Sequence, residues 1–218
     1  MRINKYIAQN SGLSRRVIDE YIGKGKVLVN GRNAEIGQSV SDNDLIVVDG
    51  QELKSTPVIT ILFNKPVGYV CSRQGQGSQT IYDILPDRYN NLKTVGRLDK
   101  QSSGLLLLTS DGDLAYQLTH PSQNKTKTYE IVIDKPLEPL HQQMISDIGI
   151  ELEDGPSRLY LSSEDKDRHE WVVQISEGRN RQIRRTFEKL GYKVIKLHRT
   201  GFGPYHIGNL KPGETEPL

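Results

Sequence analysis

Apolar and polar residues alternate at helical spacing in two short stretches near the N-terminus. The first has apolar side chains at positions 3, 6 and 7, and Gly12 is expected to end it. The second has them at positions 17, 18, 21 and 22, after Ser14, whose side chain suits a helix N-cap. Residues 27–29 and 45–48 have strand-like patterns, and Asn30-Gly31 is a tight-turn signal. Residues 1–50 are therefore predicted to form a small domain of two helices and a sheet.

The polar stretch 51–57 is predicted to be a linker, and residues 58–218 to form a second domain of alternating strands and helices. The predicted strands are Val58–Phe63, Tyr69–Ser72, Gly104–Thr109, Lys127–Ile133, Arg158–Leu161, Glu170–Ser176 and Lys193–His198. The predicted helices are Thr80–Leu85, Asp113–Leu118, Glu138–Ser146 and Asn180–Leu190. Because several consecutive strands have no helix between them, an α+β domain with a mixed sheet is favoured over a doubly wound one.

Composition excludes several classes of protein. Apolar residues make up 35% of the 218 residues and charged residues 26%, as is typical of a soluble globular chain. Apolar runs such as Leu105–Leu108 are far shorter than a membrane span of roughly 20 residues. The polar N-terminus has no signal-peptide core, and the one cysteine, Cys71, cannot form an internal disulfide, so we expect a cytoplasmic protein. The five histidines are scattered, and we expect no metal site.

The distribution of charge is more informative than the net charge of +2. Between Trp171 and Thr200 the chain has eight Lys or Arg and two Glu, a local balance of +6. Such a block on a nearly neutral chain indicates a polyanionic partner such as nucleic acid. A solvated helix face explains the same composition equally well, so the charge alone does not decide.

Four basic residues lie on or just after the second predicted helix: Arg15, Arg16, Lys24 and Lys26. With the turn that follows, they form an edge that can hold a phosphate backbone. The run SGLSRRVIDEYIGKGKVLVNG (residues 11–31) resembles the S4 RNA-binding module, and the resemblance covers about the first 50 residues. It implies an S4-like α/β module that binds structured RNA, without implying any chemistry.

A short polar segment between Gly96 and Gly104 precedes the apolar run Leu105–Leu108. The glycines allow tight turns, and the run is expected to be a buried strand. This arrangement would hold Asp99 at the mouth of a sheet, where a poorly solvated carboxylate can act as nucleophile or base. On spacing alone, a turn in which Asp99 acts as a cap and pairs with Arg97 is the commoner outcome.

Sequence motifs favour the chemical interpretation. GRLDKQSSGLLLLTSDG (residues 96–112) resembles the catalytic-aspartate motif of pseudouridine synthases of the RsuA/RluB/RluE/RluF type. Lys127-Thr128-Tyr129 opens a strand as the family's tyrosine motif does, and EGRNRQIRR (residues 177–185) is similar to its third motif. The segments 63–66 and 210–214 also look like family motifs. The resemblance implies a catalytic domain on a mixed, largely antiparallel sheet with flanking helices, which isomerises uridine to pseudouridine in ribosomal RNA without a cofactor.

The resemblance assigns the chemistry to three residues. Asp99 would attack the nucleoside or help to detach the uracil, Tyr129 would stack on the uracil, and Arg184 would bridge to Asp99 as a charge partner. In the predicted helix 180–190, Arg184 lies on the flank of the apolar face and is expected to lean inward. Arg181 and Arg185 are then expected to point the opposite way, toward solvent or RNA.

Three more residues are assigned to the substrate pocket. Ile183 would form an apolar wall beside Leu98, and Arg97 would fill the space left by a base that has been flipped out of its stack, or hold the flanking phosphate. The expected contacts of this domain to the RNA backbone are Lys65, Arg179, Arg181 and Arg185.

Two alternatives and the choice of substrate stay open at this level. A non-catalytic ribosome assembly factor could bind RNA with the same fold, and a metal-dependent RNA-processing enzyme would require clustered carboxylates, which are not visible in the sequence. We expect ribosomal RNA or an assembly intermediate as the partner and a monomeric protein. Residues 70–73 and 80–86 look closer to the enzymes of the large subunit, whereas residues 176–179 and 197–199 look closer to the small-subunit enzyme. We lean slightly toward 23S ribosomal RNA.

Overall fold

The N-terminal unit is small and contains two helices and a sheet. The computed structural model describes residues 1–120 and 125–218. The elements of this unit are α1 (Ile3–Ser11), α2 (Arg15–Gly23), β1 (Val27–Val29), β2 (Arg32–Asn33), β3 (Ile46–Val48) and β4 (Gln51–Glu52). The strands form an antiparallel sheet in the order β2-β1-β3-β4.

Local signals account for the form of this unit. The Ser14 side chain accepts a hydrogen bond from the Val17 N–H, and Gly12 ends α1 in the left-handed conformation. Asn30 and Gly31, with φ of 50° and 80°, make the two-residue turn between β1 and β2. Both helices pack against the sheet through buried residues that include Ile3, Ile7, Ile18, Ile22, Val27 and Ile46.

The second unit is built on a large sheet. Its strands are β5 (Thr60–Lys65), β6 (Lys93–Val95), β7 (Ser103–Thr109), β8 (Lys127–Ile133), β9 (Ile150–Leu152), β10 (Gly155–Ser157), β11 (Tyr160–Ser163), β12 (Glu170–Ile175), β13 (Val194–Phe202), β14 (Tyr205–His206) and β15 (Thr215–Pro217). Its α-helices are α3 (Gly112–Thr119), α4 (Pro139–Gln143) and α5 (Gln182–Lys189). A π-helical turn, Met144–Ile148, continues α4, and 3₁₀ turns occur at Ile81–Asp83 and Asp87–Tyr89.

The main sheet has the order β11-β12-β8-β13-β7-β5-β15, with β14 beside β13 and β6 beside β7. In the described residues, β13 and β7 are parallel and the other neighbours are antiparallel. The structure therefore confirms the α+β class and the mixed, largely antiparallel sheet.

Both faces of the central strands are covered, which explains the apolar run in β7. One face carries the larger core, in which Leu106 and Leu108 pack with Phe63 and Phe187. The other face carries a smaller core under α3, formed by Leu62, Val95, Leu105, Leu107, Leu118 and Phe202. Because both faces of β7 are buried, neither face requires polar side chains toward water, and the run Leu105–Leu108 is apolar for that reason.

The sheet opens where β13 leaves β7. The two strands pair only at His198 with Ser103 and Arg199 with Gly104. Gly104 has a φ of 106°, and a Cβ there would lie 2.3 Å from the Arg199 carbonyl oxygen. Only glycine allows this approach of the two backbones.

Several predicted elements were wrong in extent or type. The predicted strand at Tyr69–Ser72 is reduced to a single bridge between Val70 and Thr80, and the helix predicted at Thr80–Leu85 is a 3₁₀ turn. The stretch predicted as a linker contains β4, which extends the first sheet to Glu52. Strands β6, β9, β10, β14 and β15 were not predicted.

The two units touch through α1 and the loop after it. Lys93 donates from Nζ to the carbonyls of Ala8 and Leu13, at 3.2 and 3.3 Å. Asn10 accepts from the Thr56 N–H at 2.8 Å. Within residues 1–120 and 125–218, no helix combines the length and the apolar character needed to cross a bilayer.

Candidate active site

Asp99 lies in a tight loop between β6 and β7. Gly96, with φ of 72°, turns the chain out of β6, and the Ser102 N–H donates to the Asp99 carbonyl at 3.0 Å. Leu98 is buried, whereas the Asp99 side chain is 37% exposed. The prediction of a poorly solvated Asp99 was wrong, because the carboxylate faces an open cleft rather than the sheet interior.

Hydrogen bonds from Lys65 hold the Asp99 loop in place. The Lys65 side chain is completely buried, and Nζ donates to the carbonyls of Pro66 (3.0 Å), Asp99 (3.2 Å) and Ser102 (2.8 Å). Burial lowers the pKa of Lys65 to about 8. The expectation that Lys65 contacts an RNA backbone was wrong, since the Asp99 loop folds over its ammonium group.

Cys71 holds the same loop from a second side. The Leu98 N–H donates to Sγ at 3.4 Å, and the thiol donates to the Leu98 carbonyl at 3.3 Å. Burial raises the pKa of Cys71, which keeps the thiol protonated and able to donate. Cys71 is buried, as predicted, but it also fixes the peptide next to Asp99.

Arg184 lies behind the loop rather than in the cleft. It is buried, and its Nη atoms donate to the carbonyls of Val194 (2.7 Å) and Gln101 (2.9 Å). Burial, more than the neighbouring Arg181, lowers the pKa of Arg184, and the charge of Asp99 partly opposes that shift. Arg184 leans inward as predicted, but it forms no ion pair with Asp99 among the contacts of the described residues.

Arg181 takes the position expected of Arg184. Its Nη1 lies 4.0 Å from Asp99 Oδ2, and it starts α5 with a left-handed backbone, φ 47°. That conformation costs a non-glycine residue roughly 1–2 kcal/mol. The prediction that Arg181 points away from the site was therefore wrong.

Arg179 and Arg185 are occupied by contacts within the chain. Both pair with Asp154, at 2.9 and 2.7 Å, and Arg179 also donates to the carbonyls of Gly155 and Pro156. The hydrogen bond from Arg185 is the main cause that holds the pKa of Asp154 below its usual value. These arginines brace the β9–β10 hairpin against α5, which leaves them less available to RNA than predicted.

A cleft of about 890 Å³ lies above the splayed strands, between the Asp99 loop and the segment before α5. Tyr129, from β8, is buried in its floor, and Ile183, from α5, forms part of its wall. The other lining residues include Arg97, Leu98, Asp99, Ser102, Arg181, Leu197, Arg199 and Phe202. The cleft therefore joins a carboxylate, an aromatic ring and several cations, with apolar walls that suit a planar base.

The predicted pocket residues occupy different depths. Arg97 is exposed at the cleft, whereas Leu98 and Ile183 are buried against it. Among the described residues, no group of three or more His, Cys, Asp or Glu side chains is placed to hold a metal ion.

The basic residues of the N-terminal unit are on its surface. Arg15, Arg16 and Lys24 are exposed, and Lys26 pairs with Asp49 at 2.9 Å. The hydrogen bond to Asp49 is the main cause that raises the pKa of Lys26. Three of the four predicted RNA contacts in this unit are thus open to solvent without an ion pair among the described residues.

Sequence reasoning missed Cys71 and Arg199 as parts of the site. Arg199 carried a usable signal, because strand alternation puts it on the same side as the buried Leu197. Cys71 carried none, since its role depends on the distant Leu98 peptide.

Comparisons with known proteins agree with this geometry. A family model described as RNA pseudouridylate synthase matches residues 59–189. The chain is 36% identical to the ribosomal large subunit pseudouridine synthase B of Bacillus subtilis, over 100% of this chain and 91% of that protein. A protein of the same description from Pseudomonas aeruginosa is also 36% identical, over 94% of this chain but only 56% of that longer protein. The dual-specificity RNA pseudouridine synthase RluF of Escherichia coli is 33% identical, over 100% and 75%. A crystal structure of a pseudouridylate synthase matches with a TM-score of 0.71 at 32% identity, covering 100% of this chain and 96% of that chain.

Proposed function

The chain belongs to the RNA pseudouridylate synthase family and is a pseudouridine synthase; on that premise we propose that it isomerises a uridine of ribosomal RNA, with Asp99 as the reacting carboxylate. The names of its relatives support ribosomal RNA as the substrate class. Because two of the relatives above are named for the large subunit, large-subunit RNA is the proposed target.

One observation carries the assignment of Asp99. Its partly exposed carboxylate opens into the cleft, while its backbone is fixed by Lys65 and its neighbour Leu98 by Cys71. A nucleophile must be accessible and must be held in position, because a misplacement of about 1 Å can cost on the order of 100-fold in rate. Asp99 meets both conditions.

The reaction breaks the bond between C1′ and N1 of the nucleoside and forms one between C1′ and C5. N1 gains a proton and C5 loses one, so the isomerisation needs no net oxidant or reductant. Asp99 either attacks the nucleoside or assists the departure of the uracil. Arg181, at 4.0 Å, supplies the cation beside the carboxylate, and Arg184 acts as a positioning residue through the Gln101 carbonyl.

The target base must leave its stack before Asp99 can reach it, at a cost of a few kcal/mol or so. The ring of Tyr129 would recover part of this cost by stacking on the uracil, since base–aromatic stacking is worth roughly 1–3 kcal/mol. Exposed Arg97 is placed to fill the gap in the RNA or to hold the flanking phosphate.

The N-terminal unit, proposed as an S4-like module of residues 1–50, would hold the RNA outside the cleft. Its exposed Arg15, Arg16 and Lys24 suit a phosphate backbone. Lys93 of β6, the strand before the Asp99 loop, donates to the carbonyls of Ala8 in α1 and of Leu13 in the loop after α1, so the module contacts the unit that carries the cleft. The module would thereby select which uridine reaches Asp99.

Chemical mapping of pseudouridine in ribosomal RNA tests this function. RNA from cells that lack the protein is treated with wild type, Asp99→Asn or Asp147→Asn, the last being an exposed carboxylate outside the cleft. We expect wild type and Asp147→Asn to restore one mark, and Asp99→Asn to be slower by more than about 10³-fold, as for the loss of a nucleophile. If Asp99→Asn leaves the same mark at the same rate, the proposed chemistry is wrong. If no variant makes a mark but all bind the RNA, the protein is a non-catalytic binder.

A further inference from the structure

Arg199 is a buried cation in the cleft floor that the proposed reaction has not used. It lies on β13 directly opposite Tyr129 of β8, so the two side chains share one face of the sheet. Its side chain lines the cleft although only 2% of the residue is exposed.

The guanidinium is only partly satisfied by the protein. Nε donates to the Leu105 carbonyl at 2.7 Å, which bridges the gap where β13 leaves β7. The group also lies 4.9 Å from the centre of the Phe202 ring. Nη2, however, is buried without an acceptor among the described residues, and Arg199 forms no ion pair with a carboxylate of that part of the chain.

The buried donor of Arg199 that has no acceptor indicates that a ligand binds at this position. An unpaired charge in the interior costs several kcal/mol or so, and a neutral donor could satisfy the Leu105 carbonyl without that cost. The surroundings add to the cost, because Lys65 and Lys127 lie close enough for Arg199 to lower their pKa values further, beyond the effect of burial. A cation kept under these conditions fits a site that receives negative charge during the reaction.

We propose that Arg199 is a catalytic residue, which donates a hydrogen bond to a carbonyl oxygen of the target uracil and stabilises the negative charge that forms there when the C1′–N1 bond breaks. The inference rests on the proposed function. The electron pair of the broken bond leaves with N1 and is shared with the O2 and O4 carbonyls of the ring. C5 then attacks C1′ and releases its proton, while N1 takes up a proton, so no further reactant is needed.

A base fits this floor better than a phosphate does. The guanidinium lies 4.9 Å from the centre of the Phe202 ring, Arg199 is paired across the sheet with Tyr129, and Leu197 lines the same cleft. Exposed Arg97 and Arg181 lie where the cleft opens and are better placed for a solvated phosphate. A phosphate contact by Arg199 would appear as lost RNA affinity, which the experiment separates from lost rate.

The test uses Arg199→Gln and Arg199→Lys in the full chain, with an RNA that carries either uridine or 5-fluorouridine at the target position. The rate compared is the loss of the starting nucleoside, which reports cleavage of the C1′–N1 bond, because C5 of 5-fluorouridine carries fluorine and has no proton to release in the last step. Fluorine stabilises the negative charge on the departing base, so a lost cation should matter less with that substrate. For Arg199→Gln we expect a single-turnover rate on uridine RNA lower by about 10²–10³-fold, with RNA affinity nearly unchanged. We expect the rate ratio of 5-fluorouridine to uridine to rise by about tenfold or more, and Arg199→Lys to recover part of the loss because it keeps the charge.

Lys127→Gln is the matched control. Lys127 is a second cation at the same end of the cleft, 5.5 Å from the centre of the Phe202 ring, but its ammonium is held by the carbonyls of Lys125 and Glu177. Its removal is expected to affect both substrates equally. Equal losses on both substrates in Arg199→Gln, or a loss confined to RNA affinity, would overturn the inference.

Two further outcomes are distinguishable. A wild-type protein that makes no pseudouridine refutes the proposed function, whereas an active wild type with a substrate-independent Arg199→Gln defect refutes only the role of Arg199. If neither variant folds, the guanidinium ¹⁵N resonance of Arg199 in wild type is followed instead, assigned through its contact with Phe202. We expect that resonance to shift when 5-fluorouridine RNA binds, and an unchanged resonance would overturn the proposal.

Discussion

Replacement of Lys65 by methionine is expected to reduce catalysis much more than stability. Methionine keeps an unbranched apolar stem of similar length but cannot donate to the carbonyls of Pro66, Asp99 and Ser102. The last two belong to the loop that carries the Asp99 carboxylate. Lys65→Met therefore releases the loop without removing any group that the proposed reaction uses directly.

Two opposing terms set the change in the free energy of unfolding. Three hydrogen bonds from a charged donor, at about 1.5 kcal/mol each, contribute roughly 4.5 kcal/mol. Against this, the lowering of the Lys65 pKa from 10.5 to about 8 corresponds to about 3.5 kcal/mol spent on keeping the buried ammonium charged. The two nearly cancel, so Lys65→Met should lower stability by only about 1 kcal/mol. The loosened loop should still slow the reaction by about 100-fold, because misplacement of about 1 Å has that effect.

Urea unfolding and single-turnover pseudouridine formation at saturating RNA measure the two quantities. Lys93→Met is the matched control, since Lys93 is a half-buried lysine whose pKa is likewise lowered mainly by burial and which likewise donates to carbonyls. Its carbonyls belong to α1 and the loop after it, so we expect weaker RNA binding but an unchanged rate at saturation. A Lys65→Met rate within about threefold of wild type would refute the role given to the three contacts.

The pH dependence gives an independent check on Lys65. A neutral amine has two N–H donors for three carbonyls, so the wild-type rate should fall as pH rises through about 8, and this step should be missing in Lys65→Met. Stability should change in the opposite direction. Because the folded pKa lies below the ordinary value of 10.5, the unfolded chain binds more protons between these values, and the free energy of unfolding rises with pH there.

Four further substitutions test the fold. Ser14→Ala removes the N-cap of α2 and should lower the free energy of unfolding of the N-terminal unit by about 1 kcal/mol, measured by thermal melting. Gly104→Ala should destabilise by more than about 3 kcal/mol, because its Cβ would lie 2.3 Å from the Arg199 carbonyl oxygen. Gly112→Ala, in a helix with nothing within 4 Å of its Cβ, should be neutral or stabilising, and equal melting temperatures for these two variants would contradict the argument. Asp154→Asn should lower stability at neutral pH by freeing Arg179 and Arg185. Since the folded pKa of Asp154 is lowered, the difference from wild type should vanish as pH falls below the carboxylate range, which acid titration of the unfolding midpoint checks.

Periodicity and capping residues were sufficient for most of the regular structure. Strand β8 was predicted with its observed bounds, α2 begins directly after its predicted N-cap Ser14 and ends at Gly23, and α1 ends directly before Gly12, as the sequence indicated. Strands β6 and β15 could not be predicted this way, because each has only three residues. Strand β6 pairs with β7 across the Asp99 loop, and β15 pairs with β5, which is far away in the sequence. Such short strands exist only as parts of the finished sheet.

The same distinction between local and long-range effects applies to the candidate site. Family motifs in the sequence located Asp99, Tyr129 and Ile183 on one cleft, but they did not say which arginine stands beside the carboxylate. That place is taken by Arg181, because the left-handed turn at the start of α5 aims it there, while Arg184 reaches the Gln101 carbonyl from behind.

The sequence by itself determined which local elements form, since caps, turns and apolar spacing act between near neighbours. Tertiary structure decided which charges are buried. Lys65 and Arg199 lie just beyond the strands predicted at Val58–Phe63 and Lys193–His198, and they become interior cations because the Asp99 loop covers Lys65 and the β7–β13 gap encloses Arg199. The physical reason is that the solvation of a charge depends on everything packed around it, and most of those neighbours are distant in sequence.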